Sequence, residues 1–167
     1  MTRLLPLLAF FICSVAHAQH VFPEKFFVCN TDRFAPENEQ IIARISKKKL
    51  LEVITNGIDK TPKPKKIWGR LSLQIVVDPE GNSCLLSMHN QTTLLSAQCD
   101  LKEDIDRNLV WEKPAQKVVT IVVIDFYGRR STVKRIGLDA NDGWHEITAK
   151  GRRVKKLYYY NYYPQAP

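Results

Sequence analysis

The segment that most restricts what this chain can fold into is Val118-Val119-Thr120-Ile121-Val122-Val123-Ile124-Asp125-Phe126, apolar on both faces and rich in β-branched residues. Branching at Cβ stiffens χ1 and suits a pleated strand. Its length, with Lys117 before it and Gly128 after it, fits a well-covered strand and not a helix. A sheet must therefore be supplied by the residues around it.

The rest of that sheet is read just upstream. In Gly69 to Asp78, Leu71, Leu73, Ile75 and Val77 recur every second residue, the period of one face of a strand. Pro79-Glu80-Gly81-Asn82 is turn chemistry, and Ser83 to His89 returns with Cys84, Leu86 and Met88 on one side. Two alternating runs joined by a short glycine-containing loop predict a hairpin. A helix follows, with Asp100 as N-cap, Glu103 as the reaching residue of a capping box, and Leu101, Ile105 and Leu109 as one stripe. Pro114 is its stop.

This order of signals resembles the C-terminal domain of the TonB family. The residues that carry it are Gly69-Arg70 opening an alternating strand, Val77-Asp78-Pro79-Glu80-Gly81, a helix running into Trp111-Glu112-Lys113-Pro114-Ala115, and a Val/Ile strand ending in Phe126. The resemblance covers roughly a third of the chain. It implies a ββαβ core and recognition of outer-membrane transporters by strand addition, in which a short peptide pairs with the last strand. Carried over, the peptide-binding edge is Val118, Val119, Thr120, Ile121, Val122, Val123 and Ile124, with Thr120, Val122 and Ile124 tuning the choice of peptide.

The first eighteen residues read as an export signal: Arg3, an apolar run from Leu4 to Val15, and the A-x-A site Ala16-His17-Ala18. That run is too short for a bilayer core, which needs about twenty residues. Cleavage after Ala18 leaves a mature chain without a transmembrane segment, placed in the periplasm or secreted. Arg3 is the only charge lost, so the formal net charge of +8 falls by one. An oxidising compartment lets cysteines pair, and Cys29, Cys84 and Cys99 remain. Cys84 with Cys99 is the expected disulfide, joining the second strand to the start of the helix.

Upstream, Val21-Phe22-Pro23 and Phe26-Phe27-Val28-Cys29 are candidates for a short edge strand. Pro36 with Glu37 and Glu39 opens an expected helix continued by Ile41, Ile42, Ile45, Leu50, Val53 and Ile54, with Lys47-Lys48-Lys49 as a solvated face and Gly57 as a left-handed terminator. Lys60-Thr61-Pro62-Lys63-Pro64-Lys65-Lys66 is a basic linker. Downstream, Ser131 to Leu138 is a further strand and Asp139 to Gly143 a turn. Arg152, Arg153, Lys155 and Lys156 then lead into the aromatic tail Tyr158 to Tyr163.

The division expected is residues 1–18 signal peptide, 19–66 N-terminal helix and linker, 67–127 TonB-like domain, and 128–167 a basic, Tyr-rich extension. The fold class is α+β: a small, mostly antiparallel sheet with one or two helices on one face and a C-terminal β-rich extension. His20, His89 and His145 sit in no nucleophile, metal or phosphate motif, and no cofactor or metal is implied. Asp104 and Asp106 read as solvent-facing charges. The function expected is a non-catalytic envelope module that engages a transporter-like protein partner, with no specific nucleic acid. The alternatives are a structural envelope protein whose extension caps the edge, or a secreted enzyme gathering His89 or His145 with a cysteine or carboxylate in a pocket. Attraction to anionic lipids follows from the charge without specificity.

Overall fold

The computed structural model describes residues 20–58, 66–95, 100–139, 143–147 and 153–155. The export signal, the linker from Lys60 to Lys65, Cys99 and the tyrosine tail lie outside the described residues.

Alternation becomes the expected hairpin: β3 (Ile67–Val77) pairs antiparallel with β4 (Ser83–Thr92). The turn is held by Gly81 N–H donating to Asp78 O at 3.0 Å and Asn82 N–H donating to Asp78 Oδ1 at 2.8 Å, with Gly81 at φ +90°. One detail differs from the sequence reading. Gln74 faces Ser87 while Ile75 faces Leu85, so Leu86 is the extra residue of a bulge. The bulge shifts the alternation by one: Cys84 and Leu86 lie on one face with Val76, and Met88 lies on the other, in the main core.

Helix α2 (Leu101–Asn108) buries Leu101, Ile105 and the following Leu109 on the sheet, as the stripe requires. Asp100 is the N-cap residue but makes no capping hydrogen bond. The helix stops at Asn108, ahead of Pro114, because the chain turns away to seat Trp111. Leu109 O accepts from Ser83 Oγ at 2.5 Å, Ser83 Oγ accepts from Trp111 Nε1 at 2.7 Å, and Trp111 N–H donates to Gly81 O at 2.8 Å.

The first helix, α1 (Lys47–Ile58), starts eleven residues later than the proline signal implied. Ser46 caps it, accepting from Lys49 N–H at 3.2 Å, and Lys47 to Lys49 form its exposed first turn. Gly57 is inside the helix and does not end it in a left-handed conformation. A Cβ there would lie 3.0 Å from both Asp104 Cβ and Leu101 Cδ1, so glycine lets α1 approach α2.

Downstream of α2 come β5 (Val118–Gly128), β6 (Arg130–Asp139), β7 (Gly143–Ile147) and β8 (Arg153–Lys155); upstream of α1 are β1 (Glu24–Lys25) and β2 (Ala35–Pro36). The sheet order is β1-β4-β3-β5-β6-β7-β8, with β2 pairing parallel to the start of β5 and every other pairing antiparallel. The fold is thus α+β with a mostly antiparallel sheet and two helices.

Both faces of the sheet are covered. The helices pack on Leu71, Leu73, Ile75, Val77, Val118, Val122, Ile124 and Phe126. The N-terminal stretch covers the other face: Phe22 packs with Ile121, Val123 and Ile136, while Cys29, Phe34 and Cys84 pack with Val76, Leu86 and Val119. Buried polar side chains fasten that cover. Val21 N–H donates to Gln74 Oε1 at 2.8 Å, Ser87 Oγ donates to the same oxygen at 2.6 Å, and Phe22 N–H donates to Ser87 Oγ at 3.2 Å. These polar groups are tolerated inside because each is bonded.

Candidate functional site at the far edge of strand β5

The strand named by the sequence as an open edge is interior. Strand β3 pairs with it along its whole length, from Val77 opposite Val118 to Ile67 opposite Gly128. On the other side β6 takes the run from Ile121 opposite Ile136 to Tyr127 opposite Arg130. The remainder is closed by β2 and its successor: Ala35 N–H donates to Lys117 O at 3.0 Å and Glu37 N–H to Val119 O at 2.9 Å.

The open-edge expectation is therefore corrected for Val118, Val119, Thr120, Ile121, Val122, Val123 and Ile124. Residues after 127 turn at Gly128-Arg129 and return along the same strand, and a guest peptide pairs only with vacant backbone groups. The side chains are equally committed, since all seven are at most 7% exposed. Thr120, Val122 and Ile124 face the helix-side core and cannot tune a peptide.

A buried ionic cluster locks this closure. Glu37 is 1% exposed and Arg135 6%. Arg135 Nη2 donates to Glu37 Oε1 and, at 2.6 Å, to Ala43 O; its Nε donates to Glu37 Oε2 at 3.2 Å. Glu37 also accepts from Thr120 Oγ1 at 2.5 Å and from Ala43 N–H at 3.0 Å. The guanidinium lies 5.0 Å from the Trp111 ring centroid. Two ions withdrawn from water survive only with such complete pairing. The backbone of Glu37 bridges the same place, for Leu138 N–H donates to its carbonyl at 2.8 Å. A Cβ on Gly137 would stand 2.8 Å from that carbonyl, which is why glycine interrupts β6 there.

The outer edge of the sheet is also managed. Strand β1 pairs with only Ser87 and Met88 of β4. Beyond it, side chains take backbone donors: Leu85 N–H donates to Asp106 Oδ1 at 2.7 Å and Thr92 N–H to Asn90 Oδ1 at 3.0 Å. Asp106 also pairs with Lys102, so it is an edge cap and not a bystander charge.

The disulfide joins Cys29 to Cys84, with Cα atoms 5.7 Å apart. This corrects the pairing of Cys84 with Cys99. The N-terminal stretch crosses back to β4, a long-range approach that spacing in the sequence does not encode.

Of the histidines, His20 contacts Phe26 O at 3.2 Å and His89 lies half-buried on β4. His145 Nδ1 contacts Gly143 O at 3.0 Å. Its Nε2 lies 3.0 Å from Glu39 Oε1 without hydrogen-bond geometry. Glu39 borders a shallow cleft of about 400 Å³ shared with Arg44, Glu112 and Lys113, but His145 is 1% exposed and does not line it. This cleft thus holds the Glu39 carboxylate without the His145 imidazole.

Among the described residues, no group of three or more His, Cys, Asp or Glu is arranged to hold a metal ion, and no helix is long and apolar enough to cross a membrane. Compared with protein-family models, with curated proteins and with solved structures, the chain finds no match.

Proposed function

We propose that this chain is an exported, non-catalytic envelope protein of TonB C-terminal kind whose sheet is closed by its own strands, so that it acts through its surface and not by recruiting a guest strand to β5. The observation that carries the reading is the pairing of β5 on both sides, by β3 on one and by β6 and β2 on the other. A transporter-derived peptide would have to displace β6 along seven residue pairs and break the Glu37–Arg135 cluster. The succession β3, β4, α2, β5 supports the family resemblance, and the Cys29–Cys84 bond supports an oxidising compartment reached after cleavage at Ala18.

The test is a titration of the oxidised chain from Gln19 onward with extended peptides taken from the N-terminal segments of outer-membrane transporters. Amide chemical shifts along Val118–Ile124 are the readout. No perturbation there is expected at millimolar peptide. Saturable shifts confined to those amides would restore strand addition and remove the self-capped reading.

A further inference from the structure

Among the described residues, nothing covers one corner of the sheet, at the end where β3 begins and β5 turns into β6. Trp68 and Tyr127 are directly opposed across β3 and β5, and are 52% and 54% exposed. Tyr127 in turn opposes exposed Arg130, with exposed Arg129 in the turn and exposed Lys66 just before β3. Thr93 brackets Trp68 through both of its backbone groups, which brings Leu95, 70% exposed, to the same end. Gly128 lies beside the Trp68 ring, where a Cβ would come within 3.3 Å of it.

The alternation that buries Ile67, Leu71, Ile124 and Phe126 toward the helices points Trp68, Arg70, Asp125 and Tyr127 to the opposite face. Along that face the N-terminal cover reaches Ser72, Gln74 and Val76 but not Trp68 or Tyr127. The carboxylate on this face, Asp125, is paired with Arg70 at 2.6 Å.

We infer that this corner docks on an anionic lipid surface. Charge alone would suit any polyanion, but a soluble polyanion gives no return for holding a tryptophan, a tyrosine and a leucine in water beside the cations. A bilayer surface rewards both. Indole and phenol rings settle at headgroup depth with their polar edges toward water, and Lys and Arg meet lipid phosphates. Arg side chains also keep their charge while laying apolar stems along a surface. The assignment goes beyond the self-capped envelope reading and stands on the described residues whether or not that reading holds.

The experiment uses the oxidised chain from Gln19 to Pro167, which keeps every described residue and lacks the apolar run of the export signal. Vesicles of phosphatidylcholine alone and with phosphatidylglycerol are compared by sedimentation and tryptophan emission. Trp111 is buried and Trp144 partly so, which makes Trp68 the reporter of contact. Binding to the anionic vesicles is expected, with a blue-shifted emission and weakening as salt is added. Arg129→Gln with Arg130→Gln is expected to weaken it roughly thirtyfold, the loss for two cations leaving an anionic surface. Trp68→Phe is expected to abolish the blue shift while keeping binding within a few-fold. All three substituted positions are exposed, and an unchanged thermal melt checks that each variant is folded. Failure to bind anionic vesicles would overturn the inference. So would binding indifferent to the arginine pair, or equal affinity for heparin or single-stranded DNA with the same Trp68 shift.

Discussion

Removing Arg135 tests whether β2 and β6 are locked onto β5 by charge or merely lie beside it. Arg135→Met keeps the length of the side chain and its contact with Trp111 but leaves the Glu37 carboxylate, 1% exposed, without its cation. The carboxylate would retain Thr120 Oγ1 and Ala43 N–H while losing both guanidinium donors, and Ala43 O would lose its own. Breaking a buried pair in this way costs about 3–5 kcal/mol. Glu37→Gln preserves the shape and leaves Arg135 half-satisfied, at a cost of about 2–3 kcal/mol. The double variant Glu37→Gln/Arg135→Met has no buried charge, so its cost should fall short of the summed singles by at least about 2 kcal/mol. Urea unfolding of the oxidised chain, with unchanged slope between variants, gives the cycle. Costs that add to within about 0.5 kcal/mol would show that the two residues do not act as a unit and would refute the lock.

Other perturbations follow from single contacts. Replacing Cys29 and Cys84 by alanine should cost about 4 kcal/mol for a bond spanning 55 residues. Dithiothreitol should then destabilise the parent chain but leave the variant unmoved. Gly69→Ala should be among the most damaging changes in β3, more than about 2 kcal/mol, since φ is +104° and the new Cβ would stand 2.2 Å from Gln91 O. Gly128→Ala, with φ +69° and its nearest neighbour the Trp68 ring at 3.3 Å, should cost only about 1–2 kcal/mol, and thermal melts rank the two. Asp106→Ala strips the Leu85 N–H of its acceptor and should cost about 1–3 kcal/mol, with faster exchange of the Leu85 amide as the local readout.

What the sequence made legible was local. The period-two run of Leu71, Leu73, Ile75 and Val77 and the Pro79–Gly81 turn specify the β3–β4 hairpin within a few residues. The stripe of Leu101, Ile105 and Leu109 specifies α2, and the two-sided apolar run specifies β5 as well covered. The last of these already argued against an open edge: a strand buried on both faces is usually a central one. The errors arose where non-local contacts overrule local signals. Pro36 is a good first helical residue, yet its neighbours Ala35 and Glu37 are held by backbone bonds to β5 and the helix waits for Ser46. The bulge at Leu86 has no marker such as glycine, so the sequence does not separate Met88 from the face of Cys84 and Leu86. Cys29 reaches Cys84 only because the N-terminal stretch folds back over the sheet, and Glu37 meets Arg135 across 98 positions. The exposed corner was readable in part. Trp68 and Tyr127 sit out of phase with the buried alternation of their strands, beside Lys66 and Arg129, although their cross-strand pairing needs the register.

The central claim is that the chain itself occupies the far side of β5. Cross-strand nuclear Overhauser contacts in the isolated, oxidised chain from Gln19 test it most directly. Contacts joining Ile121 to Ile136, Val123 to Lys134 and Val119 to Pro36 are expected without any partner, together with slow amide exchange through Val118–Phe126. Absence of those contacts, with rapid exchange along one side of β5, would leave the edge open and contradict the account.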